Sequence, residues 1–234
     1  MVVKVESNTD CVVKIESLLA RGKFTEAYQE LDKVDQTGLY LRSEYGLLNR
    51  WYNLLLESNA LSESQSLDIE AKLGRVLFRL EDRLGAKAVL GAIIEKDFPL
   101  KLFAMSVLGA IYNEDGLYDE AKAILQQTIK LAQIKKNLPV EGVSKIRLAR
   151  SNFFTKHFDE AEKLANEAVK MAKDNGWVRD QMIWEGVLYD IFMAQGKSVD
   201  ITRLQEILDA FIDMGHVRYV SEAKTRLEKA KSTL

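Results

Sequence analysis

The stretch "LGAIYNEDGLYDEAKAIL", residues 108–125, constrains this chain more than any other. Leu108, Ile111 and Tyr112 mark one apolar stripe, and Tyr118, Ala121 and Leu125 mark a second. The polar "NEDG" between them is too hydrophilic to bury and ends on a glycine, so it reads as a tight turn between two helices. Gly109 and Ala121 sit on the buried faces, where a larger apolar group would remove more surface from water. A helix-centre glycine costs about 1 kcal/mol in propensity. Its presence predicts a close approach of the two helices, with Gly109 and Ala121 facing each other.

The pattern recurs. "LGRVLFRLEDRLGAKAVLGAI" repeats it with Leu73, Gly74, Leu77, Ala86, Leu90 and Ile93. "LARSNFFTKHFDEAEKLANEA" repeats it with Leu148, Ala149, Phe158, Ala161, Ala165 and Ala168. "IESLLARGKFTEAYQELDKV" gives Ile15, Leu18, Phe24, Ala27, Leu31 and Val34. A weaker copy, "LYDIFMAQGKSVDITRLQEIL", gives Leu188, Phe192, Gly196, Ile201, Leu204 and Leu208. Ala86 and Ala121 are 35 residues apart, and Ala121 to Ala161 and Ala161 to Ile201 are 40 each. Such periods belong to helix–turn–helix solenoids.

"GLYDEA", "KHFDEA" and "RGKFTEA" resemble the turn motif of the tetratricopeptide repeat family, over roughly residues 8–213. The longer period is similar to that of kinesin light chains and of bacterial peptide-sensing regulators. The resemblance implies an all-α fold, an α-α superhelix of about 12 antiparallel helices. Its repeats fall near 8–35, 66–97, 102–135, 142–175 and 182–213, in a single domain over 1–234. Helices are expected near 9–21, 24–35, 38–58, 64–81, 84–95, 99–114, 117–134, 140–155, 158–174, 178–195, 199–213 and 216–232. Ser62, Asp119 and Ser198 mark starts, and Gly22, Gly116 and Gly196 mark turns that need a positive φ. Region 36–65 breaks the period, and predicts a degenerate repeat with a shortened second helix around "SESQS". At 216–234, Val217, Val220, Ala223 and Leu227 form one apolar stripe, as a capping helix requires. The aromatics at 40–52 (Tyr40, Tyr45, Trp51, Tyr52) and at 177–192 (Trp177, Trp184, Tyr189, Phe192) recur at helical spacing and read as core.

The rest of the sequence speaks against chemistry. A net charge of −2 gives no overall attraction to nucleic acid or to an anionic membrane. Cys11 stands alone, and His157 and His216 are far apart, so no metal set of familiar spacing occurs. No phosphate loop, nucleophile elbow or other cofactor motif is found. The pairs Asp119–Glu120 and Asp159–Glu160 recur at one point in the repeat, where a negative charge complements a helix N-terminus. The opening "MVVKVESNTD" lacks the apolar run of a secretory leader, and the expected location is cytoplasmic.

The expected function is therefore a non-catalytic scaffold or adaptor, with no cofactor, that holds a protein or peptide on the concave face. A ligand- or peptide-sensing regulatory subunit is the alternative, and a second copy of the chain is a further partner that the fold accommodates. Counting from the Leu-Gly pair to the face opposite the core selects Ala71, Arg75, Phe78 and Arg79. The same count gives Ser106, Ala110, Asn113 and Glu114, and then Ile146, Arg150, Phe153 and Phe154. The partner-binding set is Arg75, Phe78, Arg79, Asn113, Glu114, Arg150, Phe153 and Phe154. Arginines there would grip carboxylates in a forked geometry, and Asn113 would pair with a peptide backbone.

Overall fold

In the hairpin turns of the chain, one residue takes a left-handed backbone conformation. Between a first and a second helix that residue is Gly22, Glu81, Gly116, Lys156 or Gly196, with φ from 61° to 75°. The amide three residues past the last helical residue then donates back to a carbonyl of the last turn. Leu117 N reaches Tyr112 O at 2.9 Å, and His157 N reaches Asn152 O at 2.8 Å. This closing bond satisfies carbonyls that would otherwise lack a partner, and it reverses the chain in a few residues. Glu81 and Lys156 show that the turn tolerates a side chain where solvent surrounds it.

The structure is a computed structural model that describes residues 8–33 and 44–232. Among the described residues there are twelve helices and no strand. They are α1 (Asn8–Ala20), α2 (Phe24–Lys33), α3 (Tyr45–Glu57), α4 (Glu63–Arg79), α5 (Arg83–Ile93) and α6 (Lys101–Glu114). Then follow α7 (Tyr118–Ile134), α8 (Leu138–Phe154), α9 (Phe158–Asp174), α10 (Val178–Ala194), α11 (Ile201–Asp213) and α12 (Val217–Ser232). Val34, Tyr40 and the expected helix start at 38 lie outside the described residues. The all-α class and the order of helices follow the sequence reading closely.

Two compact units divide the chain, Met1–Leu100 and Lys101–Leu234. In the first, α1 packs on α2, α3 on α4 and α4 on α5. Ile15, Leu19, Ala27, Leu31, Leu48, Trp51, Tyr52, Leu55, Ile69, Leu73 and Val76 make its core. The "SESQS" segment is no helix of its own. Ser62 Oγ accepts from Gln65 N and Gln65 Oε1 accepts from Ser62 N, a reciprocal cap that starts α4.

In the second unit each helix packs on the next from α6 to α10, α11 packs on α12, and the first helices of neighbouring hairpins also touch: α6 on α8, α8 on α10, α10 on α12. The buried face of α9 is a seam of alanines, Ala161, Ala165, Ala168 and Ala172, all fully buried. Trp184, Leu188 and Ile191 of α10 join the same core. Two expected starts differ. Asp119 lies inside the first turn of α7, where its charge favours the helix dipole, and makes no cap. Asp200, not Ser198, caps α11 by accepting from Arg203 N at 3.0 Å. In α12 the buried stripe is Ala223, Leu227 and Ala230, while Val217 is exposed, because the stripe starts a turn later than expected.

Candidate functional site

A polar seam runs between the first helices of the second unit. Ser144 Oγ of α8 donates to Ser106 Oγ of α6 at 2.9 Å, and Arg147 Nη1 donates to the same oxygen at 2.6 Å. Two turns on, Asn113 Nδ2 donates to the Arg147 carbonyl at 2.9 Å, and Ser151 Oγ donates to Asn113 Oδ1 at 2.7 Å. Ser106, Asn113, Ser144 and Ser151 are all buried. Each group has a partner, as burial in a low dielectric demands.

Asn113 is therefore a packing residue that joins α6 to α8, and its amide is not offered to a peptide. Ser106, Ile146 and Ala71 are likewise buried rather than groove-lining. α8 abuts α6 on one flank and α10 on the other, so two of its faces are covered in addition to the one on its own hairpin partner.

Beyond the seam lies a row of charges. Arg150 Nη2 of α8 stands 3.6 Å from Glu114 Oε1 of α6, and both side chains are about two-fifths exposed. Arg226 Nε of α12 stands 2.9 Å from Asp190 Oδ2 of α10, and its Nη2 stands 3.5 Å from Glu222. A Cβ on Gly186 would lie 2.9 Å from Arg226 Nη1, so the glycine makes room for the guanidinium. Burial pushes the Asp190 carboxyl up, against the pull of Arg226, Arg150 and Lys229. Glu114, Arg150, Asp190 and Arg226 thus follow one another with alternating sign across four consecutive first helices. Asp190 and Arg226 were not selected from the sequence. The signal was present, since Asp190 lies one 40-residue period after Arg150.

The aromatic residues gather where the hairpins turn. Phe154 stacks on Tyr118 with ring centroids 5.3 Å apart. Phe153 meets Phe154 edge-on at 5.3 Å and lies 6.0 Å from Phe158. Phe154 is exposed. In the first unit Arg75, Phe78 and Arg79 are half-buried on α4, with the Arg79 guanidinium 5.6 Å from the Phe78 ring centre.

Glu141, Lys145 and Glu167 tie α8 to α9, with Lys145 Nζ at 2.9 and 3.0 Å from the two carboxylates. Burial opposes the charge on Glu141, but the hydrogen bond from Gln133 and the Lys145 cation outweigh it and hold the carboxyl below its usual range. Among the described residues no group of three or more His, Cys, Asp or Glu side chains could hold a metal ion. Nor is any helix long and apolar enough to cross a membrane. What the row offers is a half-exposed guanidinium at long range from its carboxylate, a pairing that exchanges readily.

Stacked hairpins whose first helices touch in sequence define a helical-repeat protein. Residues 102–174 match the family model of the tetratricopeptide repeat, so the hairpins α6–α7 and α8–α9 are tetratricopeptide repeats. No curated protein matches the chain in sequence. Solved structures share the fold, among them these three. Bacillus thuringiensis PlcR, in complex with the peptide PapR7 and DNA, aligns over 96% of this chain and 76% of its own at 9% identity, with a TM-score of 0.62. BtubC (BKLC) from P. vanneervenii aligns over 97% and 88% at 13% identity and a TM-score of 0.56. A kinesin light chain-related protein of Podosopora anserina, with nearly identical repeats, aligns over 93% and 96% at 16% identity and a TM-score of 0.50. At these identities the likeness is one of fold.

Proposed function

We propose that the chain is a non-catalytic scaffold or adaptor of the cytoplasm that holds a protein or peptide segment against the first-helix face of its second unit. The observation that carries this reading is Arg150: half-exposed, loosely paired with Glu114 at 3.6 Å, and one turn from the exposed Phe154. A guanidinium in that state can exchange a long internal contact for a shorter forked one to an incoming carboxylate. Phe154, with Phe153 and Tyr118 behind it, supplies an apolar anchor beside that charge. Arg75, Phe78 and Arg79 form a second, separate surface of the same chemistry on α4.

Affinity capture from the native cell tests the reading. The wild type, Arg150→Glu and Arg75→Glu are compared, with Lys163→Glu on the outer side of α9 as the control. Loss of a partner in Arg150→Glu and its retention in the control supports the face. An unchanged partner set in all three variants overturns it. Scattering from the purified complex separates a holding role from a sensing one, because only a sensor changes its radius of gyration when the bound segment is added.

A further inference from the structure

The two histidines occupy the same local structure in opposite surroundings. Each directly precedes a helix and follows a residue of positive φ, Lys156 before His157 and Gly215 before His216. In each the carbonyl accepts the first amide of the helix four residues on, Ala161 N and Val220 N, both at 3.0 Å. His157 is exposed, and its Nδ1 lies 2.9 Å from Thr155 Oγ1. His216 is 8% exposed, and its Nδ1 is buried without a hydrogen-bond partner. Its ring lies 4.3 Å from the Tyr219 ring and 6.0 Å from that of Phe211, centre to centre.

We propose that His216 is an acid-sensitive latch: the helix α12 docks on α10 and α11 while the imidazole is neutral, and loosens when it is protonated. Three features of the geometry oppose the cation. The site is aromatic and the ring is largely buried, so a charge there loses hydration. The ring stands at the N-terminus of α12, the positive end of the helix dipole. The charged groups that bear on it are Arg179 of α10, which repels a cation, and Glu222 of α12, which attracts one, while α11 places the Phe211 ring against it. Burial first, and then Arg179, hold the His216 pKa below the usual histidine range.

The sign follows. A histidine whose docked pKa lies below its free value, about 6.5, leaves docking at full strength above that pH. Docking then weakens as the pH falls, about tenfold for each unit between the two pKa values. Asp190, which Arg226 ties to α12, works the other way. Its carboxyl is pushed up, so it takes a proton more readily docked than free, and its titration strengthens docking in acid. A loosening of α12 on mild acidification therefore reports His216.

Because the chain has only two histidines, the His216 proton resonances can be followed through a titration of the intact protein and assigned with the His216→Gln variant. Amide exchange of Val220–Ala230, corrected for intrinsic rates, is then compared at pH 7.5 and pH 5.5. The latch predicts that His216 titrates below the free histidine value of about 6.5, that exchange in α12 rises at least severalfold at pH 5.5 while α8 and α9 hold, and that His216→Gln abolishes this difference. A His216 that titrates at or above about 6.5 overturns the proposal, as does α12 protection that is equal at the two pH values. The wild-type measurements decide even if the variant does not fold.

Discussion

A Cβ atom on Gly109 would stand 2.6 Å from both Cγ and Cδ2 of Leu125, inside any permitted contact. The same holds for Gly74, whose Cβ would meet Leu90 Cγ at 2.5 Å. In both hairpins the pair is 16 residues apart, a glycine on the first helix receiving a leucine of the second. The next hairpin has Ala149 and Ala165 at that spacing, both fully buried. One helix gains a methyl group and the other loses most of a side chain, so the gap between them is filled by either combination.

This predicts strong coupling in a double-mutant cycle. Gly109→Ala improves helix propensity by up to about 1 kcal/mol but forces Leu125 aside, for a net loss of roughly 1–2 kcal/mol. Leu125→Ala opens a cavity and costs about 2–5 kcal/mol. The double variant reproduces the Ala149–Ala165 arrangement and should be more stable than the sum of the single losses by about 1–2 kcal/mol. Urea unfolding of the four proteins gives the answer, and additivity within about 0.5 kcal/mol would contradict the contact.

Ala121 fills the same hairpin one turn away and is fully buried beside Leu125 and Leu148. Ala121→Leu should lose roughly 2 kcal/mol by overpacking. A thermal melt matching that of the parent would show that α7 can move away from its neighbours at no cost.

The hairpins were legible in the sequence because small residues on an apolar stripe have few other uses. Their precise partners were not: Gly109 faces Leu125 rather than Ala121, since a side chain leans back toward the helix N-terminus and covers the turn before it. Face counting chose Arg150 and Glu114, which stand half-exposed, and also Asn113, which is buried. Residue counting places a side chain on a helix face but does not say whether that face meets water or the flank of another first helix. Asp190 escaped because the weak fifth copy was aligned only through its apolar residues, and Arg226 because it lies beyond that copy, in the capping helix.

The Asn113 seam predicts a loss without any role in binding. Asn113→Ala leaves the Arg147 carbonyl without its amide donor, and turns Ser151 Oγ back to that carbonyl, which it already approaches at 3.3 Å. The partial replacement holds the cost to about 1–2 kcal/mol. Ser151→Ala should cost less in the Asn113→Ala background than in the wild type, because its 2.7 Å bond to Asn113 is already lost there and only the longer one to the carbonyl remains. A second full-sized loss on denaturant titration would show that they act independently.

The pair Asp190–Arg226 predicts an asymmetry that depends on pH. Arg226→Met removes the cation and strands a carboxylate of which two-thirds is shielded from water. Fully buried pairs broken in this way lose about 3–5 kcal/mol, and the partial exposure here reduces the expectation to about 2 kcal/mol at pH 7. Asp190→Asn removes the acid instead and leaves Arg226 with Glu222 at 3.5 Å, so its cost at pH 7 should be the smaller of the two. Acid reverses the order. The Asp190 carboxyl is already pushed up in the wild type by burial, and without Arg226 it rises further. A carboxyl whose folded pKa exceeds its unfolded one takes up a proton in the folded state first, which adds stability as the pH falls toward the unfolded value. The deficit of Arg226→Met relative to the wild type should therefore shrink steadily between pH 7 and pH 4.5, while that of Asp190→Asn should not. Unfolding midpoints at half-unit intervals measure both slopes, and parallel curves for the two variants would show that the Asp190 carboxyl is not raised on folding.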